Sequence, residues 1–454
     1  MNTWTRRGRL RQYIDTAVWP IPTAYLVAAG ILGIGVPALD RALGDAVPAE
    51  FGVGAAQALL SAFATGLITV MGFIISVVIA GLTFGSTTVT PRIVRELQRN
   101  TTIRHVFGLL LLSVVYAFLV LNRVAPPGDP NFVPDLAVWL VTPLLVIDVA
   151  GLFLLVREMG HSLRIVEIID RVHHRAEQVI ATMYRDEAEA NNDDDHPKTT
   201  SVDGAFPVTV YNRDTSGVVT NLDVARLVNE AAHLNTTVEL AYPIGSYVPT
   251  GQPLLRVANQ LSETDDRHLR RAVTLSDERT IDQDPLYALR LLVDIATRAL
   301  SPAVNDPTTA VQVLDRIETI LFLLATRALD RGTIRDREGN VRLVVPLPSW
   351  EEFVTVALTE IRQYGATSLQ VMRRLRALLY DLLRDAPALR RPALEAQLAL
   401  LDQTVERCYP DGSERELAFA VDRHGLGEPG AAPRDYGTFA AQRRSIDPHS
   451  RTES

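Results

Sequence analysis

The chain has 454 residues, 45 Lys plus Arg against 53 Asp plus Glu, a net charge of -8 and 47% apolar residues. Length allows about three domains as a soft prior, and the acidic balance argues against non-specific nucleic-acid binding. All but one of the basic side chains are arginine, and the lone Lys198 lies far from any glycine-rich loop. A Walker-type phosphate loop and Schiff-base chemistry are thereby excluded, while a single cysteine, Cys408, and no CxxC, HExxH or GxSxG pattern exclude an internal disulfide, a common zinc site and a nucleophile elbow.

The apolar content is concentrated in residues 1–160, which carry a net charge of +2 against -10 for the remainder. Four runs stand out there: Ile21 to Val36, Gln57 to Phe84, Val106 to Leu121 and Leu136 to Val156. A membrane-spanning helix needs about 20 mostly apolar residues, and each run reaches that length when its interfacial flanks are included. Arg6, Arg7, Arg9 and Arg11 precede span one and Arg92, Arg95, Arg99 and Arg104 lie between spans two and three, whereas each opposite loop offers a single arginine, Arg41 or Arg123. The excess of positive charge on one side predicts cytoplasmic N- and C-termini, and Trp4, Trp19 and Trp139 fall near proposed span ends. A cleaved signal peptide is the competing reading of the first run, given its basic start.

Beyond the spans, residues 161–185 read as a polar connecting helix with Ile165, Ile168, Ile169 and Val172 on one face. Residues 186–204 are acidic and Asn-rich, the composition of a disordered linker. Residues 205–280 form a small β-rich part, with strand-like Val208 to Tyr211, Val218 to Thr220, Thr237 to Leu240 and Leu254 to Val257 and a helix from Leu222 to His233. The Gly245 to Leu255 stretch is similar in shape to the turn of lipoyl or biotinyl domains, without their lysine. Residues 281–409 read as a helical bundle: Asp284-Pro285 and Asp306-Pro307 each set a capping carboxylate before a proline at the first helical position. Residues 410–454 are expected to be a disordered tail. The fold class is a mainly α membrane protein: four transmembrane helices followed by a cytoplasmic α+β domain.

Two constellations carry functional potential. Thr65, Thr69, Gly72 and Ser76, continued by Thr83 and Thr87, recur on one face of span two; such a seam serves close helix packing or, in an oligomer, lines a conduit. Pro91 to Arg99 beyond it suits a short basic helix at the membrane surface. Asp148 is the only charge deep inside a predicted span and is expected to be neutralised, paired or facing water, as a proton site or as a carboxyl bonded to Thr142, Ser113 or Tyr116. Pro143 is placed to kink span four. Gly33-Ile34-Gly35 lacks the strand context of a dinucleotide fingerprint. His173, His174 and His161 read as part of a polar helix face, and the sequence yields no metal site, cofactor or catalytic set.

Thr88-Val89-Thr90-Pro91-Arg92, His161, Arg279-Thr280-Ile281-Asp282-Gln283-Asp284-Pro285, Leu292-Val293-Asp294-Ile295-Ala296 and Ala299-Leu300-Ser301-Pro302-Ala303-Val304-Asn305-Asp306-Pro307 together resemble the bacterial predicted membrane protein family termed domain of unknown function 2254. The likeness covers nearly the whole chain, with Val89-Thr90-Pro91 departing toward less aromatic residues. It implies an inner-membrane protein with a cytoplasmic domain and implies no reaction. Arg279, Asp284, Asp294, Arg298, Asn305 and Asp306 are its cytoplasmic candidates, as organisers of the fold or, at the helix starting near Pro307, as a site for a small anionic ligand. The leading expectation is a homo-oligomeric, non-enzymatic ion or small-solute pathway in the lipid bilayer, with a cytoplasmic sensing or assembly domain. The rival is a membrane-anchored scaffold or signalling protein that recruits a cytoplasmic protein partner.

Overall fold

The computed structural model describes residues 20–43, 50–88, 101–162, 164–184, 206–329 and 332–426, and the side chains of 81–88 and 159–162 are outside that description. The N-terminal arginines, Trp4, Trp19, the basic 91–99 segment, the 186–204 linker and the tail beyond 426 therefore lie outside the described residues. The chain divides into two compact units, residues 1–167 and 168–454.

In the first unit four helices are long and apolar enough to cross a membrane. They are α1 (Pro20–Leu43), α2 (Val53–Thr88), α3 (Thr101–Leu121) and α5 (Val141–Ser162), the last preceded by the short α4 (Asp135–Trp139). Helix α3 is the hub: it packs against α1, α2 and α5, whereas α2 and α5 barely meet. Close approach comes from glycines: a Cβ on Gly33 would lie 2.7 Å from Leu119 and one on Gly108 2.5 Å from the Tyr25 ring. Small residues let helix backbones approach where lipid supplies no hydrophobic drive, so the Gly33 motif has a packing role. Span four is interrupted at Leu140, three residues before Pro143, whose ring removes the N–H that would bond the Trp139 carbonyl.

Helix α6 (Ile165–Met183) carries the chain from the first unit into the second, and its Ile168, Ile169, Val172, Ala176 and Ile180 form one buried face. Next come β1 (Val208–Tyr211), β2 (Gly217–Leu222), α7 (Val224–His233), β3 (Val238–Leu240), β4 (Tyr247–Val248), β5 (Pro253–Val257), α8 (Glu263–Arg270) and β6 (Val273–Ser276). The helical part holds α9 (Pro285–Ala299), α10 (Pro307–Ala325), α11 (Trp350–Tyr364), α12 (Leu369–Asp385), α13 (Arg391–Cys408) and α14 (Gly412–Phe419), with β7 (Gly332–Arg335) and β8 (Val341–Val345) between α10 and α11. The strands form a five-stranded sheet in the order β1-β5-β3-β8-β7 and a three-stranded one, β4-β2-β6. Strand β8 joins β3 in parallel, Val238 opposite Leu343, so a segment inside the stretch read as a helical bundle belongs to the sheet. Gly245 and Gly251 take φ of +88° and +84°, the left-handed conformation their turns require.

Helix α9 is buried nearly all round, through Leu289, Leu292, Val293, Ile295 and Ala296 among others, and runs through the centre of the bundle. The tail expectation needs correction. Asp411 caps α14, Ala418 is buried, and the fully buried Asp422 accepts from the Gly425 N–H at 2.8 Å, so residues 410–426 pack as part of the fold. The cause is the Asp-Gly-Ser-Glu start of a short helix, easily read as a polar tail.

Candidate functional site

Span two presents two faces. Leu60, Phe63, Ala64, Leu67 and Ile74 are buried against the other helices. Thr65, Thr69, Gly72 and Ser76 all point away from them and are exposed, with no atom of another helix near the position of a Gly72 Cβ. The hydroxyls are not idle: Thr69 Oγ1 donates to the Thr65 carbonyl at 2.9 Å and Ser76 Oγ to the Gly72 carbonyl at 3.0 Å. Such bonds within one helix satisfy a hydroxyl in lipid while leaving its oxygen able to accept.

Asp148 lies elsewhere. It is 2% exposed, borders a cavity of about 470 Å³ between α2 and α5, and is surrounded by Phe63, Leu67, Leu110, Leu145 and Leu152. The Ser113 hydroxyl of α3 approaches it, yet neither carboxylate oxygen nor that hydroxyl reaches hydrogen-bond geometry with any described residue. Tyr116 is engaged elsewhere, donating to the Ala137 carbonyl at 2.8 Å, while Thr142 lines the same cavity. The cavity meets α2 along Ala62, Gly66 and Val70, not along Thr65 and Thr69. The hydroxyl seam and the acid thus lie on different sides of span two and share no space within the chain.

Asp148 is also not the sole acid buried in this unit. Asp135 Oδ1 accepts from the backbone N–H groups of Glu50 and Phe51 at 3.2 and 2.9 Å, and Asp40 Oδ2 from that of Leu136 at 3.1 Å. These two tie loops at one end of the bundle. Asp148 ties nothing.

The candidates of the second unit spread along α9. At its start Asp284 accepts from the Tyr287 N–H at 2.9 Å and lies so close to Gly245 that a Cβ there would meet it at 2.2 Å. Arg279 Nε donates to the Gly245 carbonyl at 2.6 Å. Burial raises the Asp284 carboxyl to about 6, against the lowering effect of the Tyr287 N–H and Arg279. Midway, Asp294 accepts from Arg290 at 2.7 Å, and Arg290 also grips Glu360 of α11 at 2.8 Å. Beyond the far end, Asn305 is exposed and takes φ of +48°, and Asp306 accepts from the Thr309 N–H at 3.1 Å and from its hydroxyl at 2.6 Å. Helix α9 is about 22 Å long at 1.5 Å per residue, so Arg279 and Asp284 are brought together while Asn305 and Asp306 stay apart from them. Asp306 already occupies the helix start that an anion would use. Arg298 is half-buried, and its Nε finds no acceptor among the described residues.

Some residues gained roles that sequence reasoning missed. Gln283 clamps Leu222 of β2, accepting its N–H at 2.8 Å and donating to its carbonyl at 3.2 Å, and Asp282 pairs with Arg175 of α6 at 2.6 Å. They border a cleft of about 730 Å³ with Thr182, Ile244 and Thr333. Both lie inside the Arg279 to Pro285 motif, which was the available signal. The sequence pattern described as "Predicted membrane protein (DUF2254)" matches residues 15–381. The chain belongs to this family. This DUF2254 chain is 30% identical over 459 aligned residues to "Uncharacterized protein Rv1290c" of Mycobacterium tuberculosis and to "Uncharacterized protein Mb1321c" of Mycobacterium bovis, covering 96% of its own length and 86% of theirs. No solved structure matches it. In DUF2254 terms, the Arg279 to Pro285 motif pins the small sheet and α6 to the start of the central helix.

Proposed function

We propose that this DUF2254 protein is a non-enzymatic homo-oligomer of the bacterial plasma membrane, with both termini cytoplasmic, in which span-two seams of neighbouring copies line a path for ions or small solutes. The observation that carries this reading is the outward exposure of Thr65, Thr69, Gly72 and Ser76 opposite the packed face of α2. A face of small and hydroxyl-bearing residues turned away from its own bundle suits a neighbouring helix or a hydrated axis better than lipid. Asp148, on the opposite side of span two from that path, is a separate candidate proton or cation site, since an ionised carboxylate in hydrocarbon costs about 2.5–3.5 kcal/mol on insertion scales and is rarely kept without use. The second unit acts as the assembly or sensing module.

Purified protein in liposomes tests it: ion flux should appear under a salt or proton gradient and fall in Gly72→Leu, which fills the seam. Wild-type protein that passes no ion under any gradient sinks the path. The second reading, a membrane-anchored scaffold for a cytoplasmic partner, draws support from the seam hydroxyls being satisfied by their own helix. It predicts intact cellular function in Gly72→Leu and Asp148→Asn.

A further inference from the structure

Helix α6 carries His173, His174 and Glu177 within its third and fourth turns. On a helix each residue advances 100°, so Glu177 falls at an angle between the two histidines and one turn beyond them. Side chains lean toward the helix N-terminus, which brings the carboxylate back over the imidazole pair. The structure realises that geometry. His173 Nε2 lies 3.5 Å from Glu177 Oε1 and His174 Nδ1 3.6 Å from Glu177 Oε2, and the three ligand atoms all fall within 4.8 Å of one another.

We propose that His173, His174 and Glu177 form a binding site for one divalent transition-metal ion of the zinc type, with its remaining coordination position open to solvent. Bonds of about 2.1 Å at tetrahedral angles place ligand atoms about 3.4 Å apart; each imidazole already lies near that distance from one carboxylate oxygen, His173 from Oε1 and His174 from Oε2 of Glu177, and side-chain rotation closes the set around an ion. Two imidazoles and one carboxylate suit zinc and its neighbours rather than calcium or magnesium, which prefer oxygen.

Two further features favour a metal over a simple ion pair. His173 is 5% exposed, and its Nδ1 is buried with no hydrogen-bond partner among the described residues, so the ring's outlet is Nε2, on the Glu177 side. In addition, the competing cation Arg316 of α10 is already held by Asp170 at 2.7 Å. The exposed His174 leaves the site open to an incoming ion. Occupancy would clamp one turn of the helix through which the chain passes from its first unit to its second.

The test uses the full-length protein in detergent, prepared without a polyhistidine tag, stripped with a chelator and titrated with CoCl2. The expected result is the visible absorption of a four- or five-coordinate Co2+ ion that saturates near one per chain and is displaced by ZnCl2. His174→Ala and Glu177→Gln, both at solvent-accessible positions, should each weaken Co2+ binding at least tenfold without lowering the unfolding temperature of the metal-free protein. His268→Ala, which removes an exposed histidine 3.6 Å from Glu230 on other helices, should leave it unchanged. No saturable Co2+ signal from the wild-type chain, or a signal that survives both substitutions, overturns the site.

Discussion

In the first unit Asp148 is 2% exposed and both its oxygens lack a hydrogen-bond partner among the described residues. In the second, the equally buried Arg374 is held by Asp315 at 2.8 Å and by Glu318, and Arg342 by Asp336 at 2.6 Å. Burial is the same and partnership differs. The second unit recruits an opposite charge from a neighbouring helix, as α12 does from α10. A helix among lipid-facing neighbours has few to recruit, so an acid retained there is poorly explained by folding alone. The contrast also separates two ways of joining helices: close backbone approach at Gly33 and Gly108 in the first unit, capped helices and ion pairs in the second.

The comparison can be broken most forcefully at Arg374. Arg374→Ala should cost about 3–5 kcal/mol, because Glu318 is left buried without its cation. Thermal unfolding of the whole protein should show the transition of the second unit lowered and that of the first unmoved; a joint shift would mean that the two units do not unfold separately. Gly108→Val reverses the pattern. Its first added carbon meets the Tyr25 ring at 2.5 Å, so overpacking of about 1–3 kcal/mol should fall on the membrane unit, and a melting curve identical to wild type would mean that spans one and three yield easily.

Asp284 sharpens the electrostatic side. Its folded value of about 6 lies above the ordinary 3.8, so the native state holds the proton more tightly than the unfolded chain. That contribution is fully present below about pH 4 and is lost as pH rises through 6. Asp284→Asn, which still offers a capping oxygen, should flatten the pH dependence of stability between 4 and 6, an effect on the order of 1–3 kcal/mol. An unchanged pH profile would show that the carboxyl is not perturbed. The smallest expected change is Thr69→Val. Its hydroxyl bonds only to its own helix, so stability should stay within about 0.5 kcal/mol, while ion flux should change if the seam lines a path. Unchanged flux counts against that reading.

Much of the architecture was legible because periodicity reports local geometry directly. The four apolar runs became four helices, and the Asp284-Pro285 and Asp306-Pro307 pairs start α9 and α10 with the capping bonds those residue types predict. The candidate site was less legible. Both Asp148 and the Thr65 to Ser76 seam could be named from residue type and spacing, but the direction each faces depends on which helices surround it. Asn305 was recognisable as a motif residue, whereas its positive φ and its distance from Asp284 were not.

What belonged to the sequence alone was everything set within a few residues: span lengths, helix starts, the hydroxyl seam on one helix face and the family motif. The tertiary structure decided the rest. It set the seam and the cavity bordered by Asp148 on different sides of span two, drew β8 into a sheet with β3, folded residues 410–426 onto the bundle, and buried His173 while leaving His174 exposed. The physical reason is that hydrogen-bond periodicity and capping are local energies, whereas burial and the choice of a charge's partner arise from contacts between segments distant in the chain, which spacing along a sequence does not encode.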